Sequence, residues 1–201
     1  MRIAKVTDKN LVVDLLVESF LNNPNVQTLV KNDKHKERRI KHLSCYIFDL
    51  HVHQNCIYLS SDEKGFAILT HSNAPKLPLW KIIWLQFRLV FSVIGWTRVW
   101  SVFRRDTRTK KRREKEAGGK PYIHFYALGI SKASRGLQEE KESAILEFKH
   151  LAWELSEGKN IPLFAETTVR KNKIAYEWLG FKVYQQWEFP SEGFTMWLLM
   201  R

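Results

Sequence analysis

PYIHFYALGIS (121–131), SRGLQEEKESAILEFKHLAWELSEGK (134–159), IPLFAETTV (161–169), RKNKIAYEWLGF (170–181) and KVYQQWEFPSEGFTMWLLMR (182–201) make up the last third of the chain. Short apolar runs rich in β-branched and aromatic residues alternate here with helical periodicity. That alternation predicts strand–helix–strand–helix–strand packing around one sheet. Three features suggest chemistry: a strand ending in Leu128-Gly129-Ile130, a helix start after Arg135-Gly136, and Asn172 four residues before Tyr176.

Working outward, the 201 residues are enough for one substantial domain and do not ask for two. Hydrophobic residues make up 44% and charged residues 27%, which excludes a disordered chain. The net charge of +12 favours an anionic partner: nucleic acid, an anionic membrane surface or a phosphate-bearing ligand. Cys45 and Cys56 lack CxxC-type spacing and read as reduced thiols. The opening MRIAKVTDKN has no apolar core of signal-peptide type, so a cytoplasmic protein is expected. His35, His42, His51 and His53 have no accompanying carboxylates and read as solvated or partly buried, not as a metal site.

Taken in order, Arg2–Thr7 reads as a short strand, with Thr7 or Asp8 capping a helix over Asp8–Leu21 that stops at Asn22-Asn23-Pro24. His35–His53 has helical spacing. Cys56–Ser60 and Gly65–Thr70 form a hairpin around Ser61–Lys64. Leu79–Phe103 is rich in Trp, Phe, Ile and Val, but Lys81, Gln86, Arg88 and Arg98 interrupt it. A charge near the middle of a membrane span costs about 2.5–3.5 kcal/mol. The segment therefore reads as one long helix, or one broken at Gly95, whose apolar surface covers a core or a ligand cleft, with a bilayer surface as the lesser alternative. The run Arg104–Lys120 reads as a solvated, mobile loop, with a phosphate footprint as the alternative. Residues 1–201 are taken as one domain carrying an inserted helix and basic loop at 79–120.

Tyr122–Ile130 is apolar on both faces, as in the middle of a sheet. Gly129 within it marks a bulge or a close backbone approach by a ligand. A bulge that splays this strand from its neighbour would free N–H groups to hold a carbonyl or a developing oxyanion. The turn after it, Ser131–Gly136, carries Lys132 and Arg135 just before a helix, where backbone N–H groups can cradle phosphate.

This arrangement resembles the Gcn5-related N-acetyltransferases (GNAT), most closely over TTVRKNKIAYEWLGF, with Thr167, Asn172, Tyr176 and Gly180-Phe181 in the family's pattern. Leu79–Lys120 stands where one subgroup carries a long apolar and basic insert before the fourth strand. The resemblance implies an α/β (α+β) GNAT-like domain: a mixed, mostly antiparallel central sheet of about seven strands flanked by helices. It also implies acetyl-CoA as cosubstrate, its pantetheine arm beside Leu128, Gly129 and Ile130, its phosphates at Arg135 and Gly136, and Asn172 near the arm. Tyr176 would be the general acid for the departing thiolate. The base for the acceptor amine stays open: His124 and Tyr126 lie on the strand face of Leu128, and Glu166 is the other candidate. The family's glycine-rich phosphate turn is not kept, since Gln138, Glu139 and Glu140 follow Arg135-Gly136. Carboxylates there suit a helix start but repel phosphate.

The expected function is transfer of an acetyl group from acetyl-CoA to an amine by direct attack. A catalytically weak or inactive sensor on the same fold is the alternative. The acceptor is a small molecule or a peptide. Nucleic acid or anionic membrane binding is a secondary expectation, and exposed Trp on the insert would suggest a homodimer surface.

Overall fold

Phe66-Ala67-Ile68-Leu69 has no polar side chain to turn outward, and all four residues are buried. Successive side chains on a strand point to opposite faces. Phe66 and Ile68 enter one core while Ala67 and Leu69 enter another. In the computed structural model, which describes all residues except 32, 76, 95, 133–137 and 158–159, and those at 96–99, 101 and 138–143 by backbone alone, a seven-stranded sheet separates the two cores. Its strands are β1 (Arg2–Ile3), β2 (Ile57–Leu59), β3 (Gly65–His71), β4 (Ile123–Ile130), β5 (Leu163–Thr167), β6 (Lys182–Phe189) and β7 (Phe194–Met200), in the order β1-β2-β3-β4-β5-β7-β6. Every pairing is antiparallel except β4–β5.

One core holds α1 (Lys9–Phe20), α2 (Pro24–Leu29) and α3 (Lys36–His51) against the sheet through Leu16, Ile40 and Phe48. The other holds α6 (Gln138–Glu157) and α7 (Arg170–Trp178), with Phe148 and Tyr176 against Ile123 and Phe125. Asn22-Asn23-Pro24 does more than stop α1. The Asn23 side chain accepts from the N–H groups of Asn25 and Val26, and Pro24 opens α2, a helix not expected from the sequence. Asp8 does not cap α1. Its carboxylate accepts from Lys5 N–H and two bonds from Arg2, which, Arg2 first, hold its pKa down to about 2.

The insert runs as α4 (Leu79–Leu89), a π-helical turn Val90–Ile94, and α5 (Trp96–Glu116). The expected break point, Gly95, lies outside the described residues. Most of Arg104–Lys120 is helix rather than a mobile loop, and the packing shows why. Arg105, Arg108 and Arg112 fall at helical spacing on one side of α5. Their guanidinium groups lie over Phe194, Trp187 and Tyr184 of the β6–β7 hairpin, at 5.5, 4.3 and 5.8 Å. Arg105 also donates to Glu192 at 2.8 Å. The helix is laid across the hairpin by cation–aromatic contacts, which leaves Arg104, Arg108, Lys110, Lys111 and Lys115 exposed to solvent.

Candidate active site

β4 and β5 run together only from Ile123/Leu163 to Phe125/Ala165. Beyond that point β4 stays with β3 up to Ile130, while β5 stays with β7 up to Thr167. The two central strands therefore part and open a gap. A β-bulge accompanies the parting. Ile68 pairs with Ala127 and Leu69 with Phe125, so Tyr126 has no opposite number on β3. Past the bulge, Ser131 N–H donates to Lys64 C=O at 2.7 Å. Alternation along the antiparallel ladder then turns the backbone groups of Gly129 and Ala127 toward β3 and those of Leu128 into the gap.

The bulge is thus at Tyr126, not at Gly129, and no ligand approach is needed to explain the glycine. A Cβ on Gly129 would lie 2.2 Å from Ser19 Oγ and 2.4 Å from Phe66 Cε1. The crowding comes from α1 and β3.

The gap opens into a cleft of about 370 Å³. Its walls include Tyr126, Leu128, Phe103, Glu166, Asn172 and Tyr176. The parallel register sets Phe164 opposite His124, so Glu166, two residues on, shares the His124 face of the sheet. There Glu166 Oε2 meets His124 Nε2 at 2.5 Å, and Glu166 Oε1 accepts from Arg113 Nη1. All three are largely sealed from solvent, with side chains 9–15% exposed. Burial by itself would raise the Glu166 pKa; His124 and Arg113 together outweigh it and hold the carboxyl at about 2. The sequence offered Glu166 and His124 as separate candidates, and the structure joins them. It did not offer Arg113. The signal was Thr109, Arg113 and Ala117, four residues apart within a charged run; all three are buried, a stripe along α5 and the turn that ends it.

Tyr176 stands in the opposite core and reaches the cleft through the opening between the strands. It is 6% exposed, its ring packs edge-on against Phe125 and Phe181, and its hydroxyl makes no hydrogen bond among the described residues. Burial, and then the charge on Glu166, push its pKa up, so the phenol keeps its proton. Gly180-Phe181 ends α7: Gly180 has φ 86°, and Phe181 N–H donates to Tyr176 C=O at 3.0 Å. This turn brings the Phe181 ring to 5.4 Å from that of Tyr176. Thr167 Oγ1 accepts from Val169 N–H at 3.1 Å and starts α7 beside the cleft. Asn172 lines the cleft from the exposed side of α7. The side chain of Ile130 is buried with the α6–α7 core and does not line the cleft. Arg135 and Gly136 lie outside the described residues, as does most of the turn that carries them.

Asp106 lines the cleft and has no ion-pair partner among the described residues. Burial, then the charge of Asp106, push the Tyr46 phenol, which also lines the cleft, up to about 12. Apart from Glu166, which is already paired, Asp106 is the one carboxylate lining the cleft among the described residues.

No protein-family model matches the chain, and no curated protein matches it by sequence. Solved structures do match in shape. The C-terminal condensation domain of Ebony, solved with β-alanyl-dopamine, superposes with a TM-score of 0.71 at 11% identity, over 98% of this chain and 95% of that one. Polyamine N-acetyltransferase of Drosophila melanogaster, which forms N-acetylagmatine, gives 0.61 at 9% identity over 100% and 97%. Arylalkylamine N-acetyltransferase 2 of Aedes aegypti gives 0.60 at 12% over 100% and 96%. Identities this low speak for the fold, and with the parted central strands they agree on one: the chain has the fold of the Gcn5-related N-acetyltransferases.

Proposed function

We propose that this chain is a cytoplasmic N-acetyltransferase that moves an acetyl group from acetyl-CoA to the amine of a small-molecule or peptide acceptor by direct attack. The observation that carries the reading is the parting of β4 from β5, with Leu128 on one side and Tyr176 and Asn172 on the other. A strand edge with polar backbone turned outward suits an extended, amide-bearing pantetheine arm, as strand addition does for peptides. The backbone of Leu128 would hold that arm, with Gly129 and Ile130 flanking it along the strand; Asn172 would touch it, and Arg135 and Gly136 would meet the phosphates. The thioester supplies the acetyl group.

Two proton-handling groups face this cleft. Tyr176 keeps its proton at the hydroxyl and is assigned its delivery to the departing thiolate sulfur. A Glu166 carboxyl held at about 2 is too weak a base to take a proton from an amine near neutral pH. Its task is to hold His124 through Nε2, which leaves Nδ1 as acceptor for the amine proton. Arg113 fixes Glu166 in turn. Asp106 is assigned the acceptor's positive charge, since Glu166 is already paired. The structural neighbours named above act on or bind amines, which agrees with this assignment. A sensor that binds without turnover is not favoured, because it gives the His124–Glu166–Arg113 group in the cleft no task. Two free thiols, Cys45 and Cys56, suit a reducing compartment.

Thermal unfolding with acetyl-CoA, free CoA and ATP tests the binding half of the proposal. A ligand at about 100 times its Kd adds about 2.7 kcal/mol, or roughly 5–10 °C for a chain of this size. The proposal expects that shift with both CoA forms and not with ATP. Equal shifts with all three would reduce the binding to charge alone.

A further inference from the structure

α4 is apolar on two sides. Leu89 at its end, with Val90, Val93 and Ile94 of the π-helical turn, is buried against α3 and the cleft. Trp80, Ile83, Trp84, Phe87 and Phe91 follow the spacing of one helix face and point outward, each at least half exposed. Trp80 is 67% exposed, Trp84 and Phe87 59% each. A contiguous face of this kind on a folded chain is a contact surface.

The charges around it select the partner. Lys81 and Arg88 lie over Trp80 and Trp84 at 5.5 and 5.7 Å, on the rim of the face. No Asp or Glu occurs between Leu79 and Arg105. From Leu79 to Glu116 there are eleven Lys and Arg against three Asp and Glu, so this segment carries +8 of the chain's +12. A second copy seated face to face would bring Lys81 and Arg88 against like charges, with no carboxylate of the same segment to pair them. An anionic bilayer supplies both an apolar phase for Trp, Ile and Phe and phosphates for the cations. Trp beside Lys or Arg is the composition of helices that lie in a membrane interface. Among the described residues no helix is long and apolar enough to cross a membrane.

We propose that the outer face of α4 docks the protein on an anionic lipid surface. Leu89, Ile94, Val102 and Phe103 of the same insert line the cleft. Docking therefore holds the cleft beside the bilayer.

Co-sedimentation of the full chain with vesicles of phosphatidylcholine, with and without phosphatidylglycerol, tests this. The protein is expected in the pellet with the mixed vesicles at low salt and in the supernatant with phosphatidylcholine alone. Trp80→Ser/Trp84→Ser/Phe87→Ser should abolish pelleting; its thermal midpoint checks that it is folded. Lys81→Gln/Arg88→Gln, which removes only rim charge, should weaken binding by about fivefold per cation. That variant carries the test if the triple one does not fold. Absence of the wild-type chain from the mixed-vesicle pellet overturns the proposal. So does a wild-type dimer that the triple variant dissociates while pelleting is unchanged, since the face would then be covered by a second copy.

Discussion

Glu166→Gln removes one charge from a buried group of three, and the structure sets the size of the effect. The carboxyl falls from an ordinary 4.5 to about 2 on folding because His124 and Arg113 outweigh the cost of its burial. A change of that size corresponds to about 3 kcal/mol of preference for the charged form. An independent estimate comes from Arg113, 7% exposed, which would keep its charge and lose its carboxylate partner. Breaking a buried pair by removing one member costs about 3–5 kcal/mol. Both routes predict a loss of about 3 kcal/mol or more in urea unfolding at neutral pH, or roughly 10 °C in midpoint. The sign with pH follows from the depressed carboxyl. Between 4.5 and 2 the unfolded chain binds a proton that the folded chain refuses, so the wild type loses this contribution as pH falls through that window. Glu166→Gln should lose it at every pH and show a flatter acid limb. Arg113→Met/Glu166→Gln should recover much of the stability, because the stranded guanidinium is gone. A single variant destabilised by less than about 1 kcal/mol, with the acid limb unchanged, would refute the reasoning and reduce the group to a surface-type pair.

Three further outcomes follow from the site and its supports. Tyr176→Phe keeps the ring contacts with Phe125 and Phe181 and removes a hydroxyl with no hydrogen bond among the described residues. Stability should hold while kcat falls about 10²–10⁴-fold; unchanged turnover removes Tyr176 from the mechanism. Asp106→Asn should raise KM for a cationic amine about tenfold and leave the acetyl-CoA-induced shift in thermal midpoint alone. An unchanged KM would show that the acceptor's charge lies elsewhere. Gly129→Ala drives a Cβ into Ser19 and Phe66 and should cost about 1–3 kcal/mol in urea unfolding. Ser19→Gly in the same chain should return only part of it, since Phe66 still crowds the site.

The strands were legible in the sequence because each carries its own evidence. Phe66–Leu69 is apolar on both faces and can be nothing but central in a sheet. Tyr176 was legible through the Gly180-Phe181 stop that follows it. The basic run was misread because its count of charges hid its spacing. Arg105, Arg108 and Arg112 are explained only by Tyr184, Trp187 and Phe194, which arrive from a hairpin dozens of residues later. Arg113 was lost with it. The union of His124 and Glu166 depends on the parallel register of β4 with β5, which no local pattern carries. Gly129 pointed to a bulge for a similar reason: a strand glycine reports that something comes close, and Ser19 and Phe66 do, while the bulge itself lies at Tyr126.

The most direct test of the proposed reaction is amine-dependent release of free CoA thiol from acetyl-CoA, with the wild type beside Tyr176→Phe. An acceptor panel of arylalkylamines, polyamines and peptide N-termini covers the cleft's chemistry. The account predicts thiol release that needs both protein and amine and that falls by at least about a hundredfold in the variant. A wild-type chain that shows the acetyl-CoA shift in its thermal midpoint, yet releases no thiol with any amine of the panel, would contradict it.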